Sequence, residues 1–185
     1  MSTTTSWTPR TIEGSTQKLD LLAGETTIGH FTETDKGHTV EAVVYDQPWH
    51  VTRDDMAVTA TLQDGRTYAL TGDKGRIGGS KRLDVDLAGH AVACINEAKQ
   101  DWVIEDTDGT KLGQFSGGNR GVRSSLVEWE DDATEHLNRE EQAFLSYAAR
   151  IALESRLWRN TWILTASLLV LAPIIILIYL YGPVF

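Results

Sequence analysis

Between Thr26 and Glu130, apolar and polar residues alternate in short runs separated by turn residues. This period of two marks half-buried strands. Thr39 to Tyr45 is β-branched and partly alternating, and Ala57 to Leu62 alternates throughout. Asp64-Gly65 supplies a turn into Arg66 to Leu70. Leu83 to Leu87 alternates cleanly, and Ala91 to Ile95 is apolar throughout, as a central strand would be. Trp102 to Glu105 precedes a turn at Asp108-Gly109, and Ser124 to Trp129 predicts a last strand. A strand and turn every ten residues or so predicts a mainly β soluble domain over residues 23–130, an antiparallel sandwich or an open barrel. Residues 1–22 are rich in Ser and Thr around a short apolar patch at Leu19, Leu21 and Leu22, and read as an extended arm.

After Glu130 the period changes. Asp132 followed by Glu135 resembles a capping box, and Glu128, Glu130, Asp131 and Asp132 crowd the same end, where a helix dipole favours acids. Leu137, Phe144, Ala148, Ile151 and Trp158 recur along one helical face, and neither Gly nor Pro interrupts the chain from Glu128 to Leu171. An amphipathic juxtamembrane helix is therefore predicted over 131–159. Its apolar stripe needs a cover, either the β domain or another protein.

From Asn160 to Phe185 no side chain is charged. Thr161 to Tyr181 is long enough to cross roughly 30 Å of hydrocarbon as a helix. This predicts a transmembrane helix over 160–182 and a short tail over 183–185. Arg150, Arg156 and Arg159 precede the run and no Lys or Arg follows it. The positive-inside rule then places the N-terminal domain in the cytoplasm and the C-terminus outside, in a tail-anchored, single-pass protein of the cell membrane. The polar N-terminus has no apolar core of a secretory signal. Trp158 and Trp162 at one end, with Tyr179 and Tyr181 at the other, suit the two headgroup layers, and Pro173 predicts a bend. A competing reading exists. In tubby-like and phospholipid-scramblase-like barrels an apolar C-terminal helix lies inside the barrel and imitates a span. The length of the run and the polar helix before it favour the membrane.

Charge narrows the partners. With 26 acidic against 17 basic side chains the net charge is −9, which disfavours nucleic acid. The single cysteine, Cys94, admits no intramolecular disulfide and sits in an apolar run, as a small core residue does. His30, His38, His50, His90 and His136 show no zinc spacing with one another or with Cys94. No serine elbow, paired-carboxylate context or haem-attachment motif is present, so the sequence predicts no catalytic residue, metal or cofactor.

Two segments look like sites. Gly72 to Arg82 carries Lys74, Arg76, Lys81 and Arg82 among glycines, a composition able to hold an anion or a lipid headgroup, although its spacing is not that of a phosphate-binding loop. Gly117 to Arg123 is a weaker version. Trp7, an aromatic in a polar arm, is a candidate anchor for a partner's pocket. Phe144, Ala148, Ile151, Trp158 and Trp162 are candidates along the helix. Thr165, Ala166 and Ala172 add small side chains that allow a close helix–helix approach.

The polar β region before Glu130, the helix from Asp132 and the tail from Trp162 to Phe185, at 20.5 kDa, resemble the small single-span accessory subunit of the actinobacterial cytochrome bcc–aa3 respiratory supercomplex. The resemblance is one of architecture along the whole chain and carries no diagnostic motif. It implies a non-catalytic accessory subunit that binds no haem or quinone and stabilises integral membrane subunits of a respiratory complex. The alternative is a membrane-anchored lipid- or anion-binding module acting through loop 72–82.

Overall fold

The computed structural model describes residues 3–98, 100–117 and 125–181, without the side chains of residues 36, 157–166, 168 and 172–181. Among the described residues the strands are β1 (Thr4–Trp7), β2 (Thr11–Glu13), β3 (Thr16–Ala23), β4 (Thr26–Thr34), β5 (Thr39–Val44), β6 (Gln47–Arg53), β7 (Ala57–Leu62), β8 (Thr67–Gly72), β9 (Arg82–Leu87), β10 (His90–Ala98), β11 (Asp101–Asp106), β12 (Lys111–Ser116) and β13 (Leu126–Trp129). A single helical turn, α1 (Ala133–His136), precedes a long helix, α2 (Arg139–Tyr181).

From β3 to β13 each strand pairs antiparallel with the next. β1 then closes the ring. One of its edges pairs with β13 (Thr4↔Glu128, Thr5↔Val127) and the other with β3 (Thr5↔Ala23, Ser6↔Leu22, Trp7↔Leu21). β2 continues along the same edge of β3 (Thr11↔Lys18 to Glu13↔Thr16) after a break at Pro9, whose nitrogen has no hydrogen to donate. The result is a closed antiparallel barrel of twelve strands, with β2 as an extension of the β1 position. Closure removes the exposed sheet edge that an open barrel would present.

The alternating strands send one set of residues inward, as in Val40, Ala42 and Val44 on β5 or Leu83, Val85 and Leu87 on β9, all buried. They meet α2. Every residue from Glu141 to Leu153 is buried, whichever face of the helix it occupies. A helix buried all round is surrounded on every side, and inside a closed ring of strands the lumen is the place that provides this. Small side chains (Ala143, Ser146, Ala148, Ala149, Ala152) let α2 lie close to the strands, while Phe144, Leu145, Tyr147, Ile151 and Leu153 fill the remaining volume.

Several expectations change. The predicted sandwich or open barrel is a closed barrel. The predicted arm over 1–22 is β1, β2 and most of β3, so the strand that closes the barrel comes from it. The helix predicted over 131–159 begins later, at Arg139, and its first part plugs the barrel. The predicted transmembrane segment and single-pass, tail-anchored topology are not supported, because no helix among the described residues is long and apolar enough to cross a membrane. The membrane localisation and orientation built on that segment fall with it. The competing expectation of a helix inside the barrel is nearer the structure. The segment buried on every side is Glu141–Leu153, which precedes the uncharged run.

Candidate functional site

The barrel grips α2 at two collars, one at the helix start and one around Arg150 to Arg156. The first collar lies at the helix start. The Asn138 side-chain oxygen accepts hydrogen bonds from the backbone N–H groups of Glu140 (2.9 Å) and Glu141 (3.0 Å), and Glu141 accepts one in return from the Asn138 N–H (2.8 Å). This reciprocal capping box starts α2. The box expected at Asp132 and Glu135 is not formed: Asp132 makes no side-chain cap, and α1 stops after one turn. Arg66 from the β7–β8 turn donates to Glu140 at 2.6 Å. Arg139 lies over the ring of Tyr45, 4.8 Å from its centre. Tyr45 occupies a left-handed turn position (φ 50°), strained for a bulky residue, and its N–H is fixed on the Ile28 carbonyl at 2.9 Å. The half-buried His90 stands 3.6 Å from both Asp106 and Glu141, and His136 stands 3.7 Å from Asp106. No group of three or more such side chains among the described residues is arranged to hold a metal ion.

At mid-helix a buried polar chain ties α2 to the closing strand. The Trp129 indole donates to Thr5 Oγ1 (3.2 Å), Thr5 and Ser146 share a hydroxyl hydrogen bond (2.6 Å), and the Trp7 indole donates to the Ser146 carbonyl (3.2 Å). Trp7 also meets Phe31 edge-on, and Phe31 stacks on Tyr147. Trp7 is thus an interior anchor for this chain's own helix, 3 % exposed, and is not presented to a partner. Phe144, Ala148 and Ile151 are corrected in the same way, since the cover their stripe needs is the barrel wall. Burial raises the Tyr147 phenol and pushes the Cys94 thiol up to about 12.

The second collar lies where α2 leaves the lumen. Glu154 receives Arg150 Nε (2.8 Å) and Arg10 Nη2 (2.9 Å), with Arg53 Nη1 at 3.6 Å. Glu33, buried on β4, receives Arg10 at 3.1 Å and faces Arg150 at 3.8 Å, and the Arg150 guanidinium lies over the Trp7 ring. Two residues further, Arg156 donates to the Asn96 side chain (2.9 Å) and the Ser80 carbonyl (2.8 Å) and stacks on Trp102.

That last contact explains loop 72–82. Its tip, Ile77–Gly79, is a short 3-10 turn with Ile77 and Ser80 buried, and it packs on α2. A side chain at Gly78 would stand 3.0 Å from the Ser155 carbonyl, so glycine here allows close approach of loop to helix. Lys74, Arg76, Lys81 and Arg82 all point to solvent around this exit; Arg82 pairs with Asp84 at 2.7 Å. Beyond the exit α2 continues to Tyr181, with Ser167, Leu169, Val170 and Leu171 exposed. The side chains of Trp158, Trp162, Thr165, Ala166 and Ala172 lie outside the described residues, as do residues 118–123 of the second glycine-rich stretch. The remaining histidines do not converge on a site: His30 and His50 make exposed pairs with Asp20 and Glu41, and His38 contacts the Arg53 carbonyl.

Sequence reasoning missed the Asn138–Glu141 box, although Asn-x-x-Glu is visible at 138–141. It also missed Arg156, which nothing in the pattern distinguishes from its neighbours. No family model, curated protein or solved structure matches the chain.

Proposed function

We propose that the chain is a non-catalytic accessory subunit: a barrel that grips one half of a helix and offers the other half to a larger assembly. The observation that carries this reading is the far part of α2, where Leu169, Val170 and Leu171 are 72 %, 62 % and 50 % exposed. A lumen occupied by packed side chains from Phe144 to Leu153 supports it further, because it gives the barrel's interior to holding the helix. Both collars lock α2 in place, so a load on the projecting part is transmitted to the barrel. The resemblance noted in the sequence makes respiratory complexes the first assemblies to examine, with this chain as a peripheral component.

The test is native fractionation of the full-length protein beside the Leu169→Ser/Val170→Ser/Leu171→Ser variant. The parent chain is expected in a fraction far heavier than 20.5 kDa, and the variant as a folded, unassociated chain. Parent and variant eluting together as monomers would remove the proposal.

A further inference from the structure

We infer that the partner of the projecting helix is a protein with an enclosing apolar groove whose rim is acidic where it meets the barrel; this rests on the accessory-subunit reading above. Two observations join here. The first concerns shape. Successive helical side chains project about 100° apart, so Leu169, Val170 and Leu171 together sweep about 200° of the helix circumference. All three are exposed. A single helix laid alongside covers one stripe. Covering this arc takes a groove that wraps the helix, the mode in which an amphipathic or apolar helix is seated in a cleft.

The second observation concerns charge. The helix leaves the barrel beside loop 72–82, which touches Ser155 through Gly78 and holds Arg156 through the Ser80 carbonyl. This loop carries Lys74, Arg76, Lys81 and Arg82 against Asp73, on a chain whose net charge is −9. Asp84 engages Arg82, and Asp55 engages the loop through its backbone carbonyl, accepting from the Ile77 N–H. Lys74, Arg76 and Lys81 are exposed and have no ion pair among the described residues. A cationic island at the root of an exposed apolar helix is complementary to an apolar groove with carboxylates at its mouth. The apolar contact supplies affinity, and the charges supply orientation and association rate.

Carbodiimide coupling, which joins a lysine amine to a carboxylate it touches, tests this on the native assembly. Lys74 and Lys81 are expected to couple to Asp or Glu of a different polypeptide, identified by mass spectrometry of the joined peptides. Reversing all four cations to Glu is expected to weaken association with that polypeptide at least about tenfold at low salt, and less at high salt. Thermal unfolding of the variant, whose changes are all on the surface, checks that the barrel is intact. Assembly lost in the Leu169/Val170/Leu171 variant but unchanged in the charge-reversed one would overturn the acidic rim and leave the accessory reading standing. Assembly unchanged in both would overturn the two together. Coupling only to a second, isotope-labelled copy of this chain, or adsorption to anionic phosphatidylserine vesicles without protein coupling, would also overturn the inference.

Discussion

Glu33 is 1 % exposed, yet it faces Arg10 and Arg150 inside the barrel. Burying such charges is costly, so removing one partner hurts more than replacing the set. Glu33→Ala leaves Arg150 with Glu154 alone. The expected loss is about 3 kcal/mol, at the low end for a broken buried pair because one partner remains. Urea denaturation measures it, and the Glu33→Met/Arg150→Met double variant is expected to recover most of the loss. Buried neutral groups act in the alkaline range. The Cys94 thiol rises from 9.0 to about 12 through burial, and the Tyr147 phenol is raised for the same reason. A folded value above the unfolded one gives stability that is complete below pH 9 and is lost as pH climbs toward the folded value, by up to roughly 1.4 kcal/mol per pH unit for each group. The melting temperature is therefore expected to fall from pH 9 to 12, and Cys94→Ala to fall less steeply. A slope identical in the two proteins would refute the assignment. The same burial is expected to leave the native thiol unmodified by a thiol reagent at pH 7.5, where the unfolded chain reacts.

Among the elements, α2 was the hardest to read. The stretch from Arg139 to Arg156 contains Glu140, Glu141, Gln142, Arg150, Glu154 and Arg156, and so scans as an amphipathic surface helix. Its polar groups find their partners on strands far away in sequence: Glu140 with Arg66, Glu154 with Arg10, Arg156 with Asn96. No local pattern encodes those pairings. The strands at 57–62 and 83–87 were legible because their alternation matches the wall of the barrel, which has one face inward. β6 and β12 were not, since Pro48 and Gly113 break the run of strand-forming residues there. The arm was misread for a related reason. β1 has four residues and β2 three, too few for a period to show. Of the candidate site, the basic loop was visible by composition, whereas its grip on Ser155 and Arg156 was not. The helix start gives a direct check. Asn138→Ala deletes the acceptor for two N–H groups and is expected to cost about 1 kcal/mol, while Asp132→Ala, without a cap to lose, is expected to change stability by under about 0.5 kcal/mol. Chemical denaturation of the two variants side by side decides which residue starts the helix.

Closure makes the chain's first and last described strands interdependent. β1 can pair with nearby β3 on one edge, but its other edge waits for β13, and Trp129 and Ser146 reach Thr5 only from the far end of the chain. Contacts of such separation in sequence are slow to form, and closure of the ring depends on them. Removing residues 1–10 would therefore do more than shorten a terminus. It exposes the edges of β3 and β13, leaves Ser146 without Thr5, and removes Arg10 from Glu33 and Glu154. An open ring with an apolar plug bared along the gap and two unpaired edges is prone to edge pairing with other copies. The shortened chain is expected to lose its cooperative thermal transition and to form soluble aggregates on size exclusion. Removing residues 157–185 takes none of the described contacts from either collar, since Arg150, Glu154 and Arg156 remain, so that protein is expected to melt cooperatively near the temperature of the full chain. If the first deletion melted cooperatively as a monomer, β1 would be an accessory strap and the barrel would stand without it. If the second deletion unfolded the barrel, the helix would be held from outside as well as from within, and the picture of a plugged barrel with a projecting arm would give way to one in which the two halves of α2 support each other.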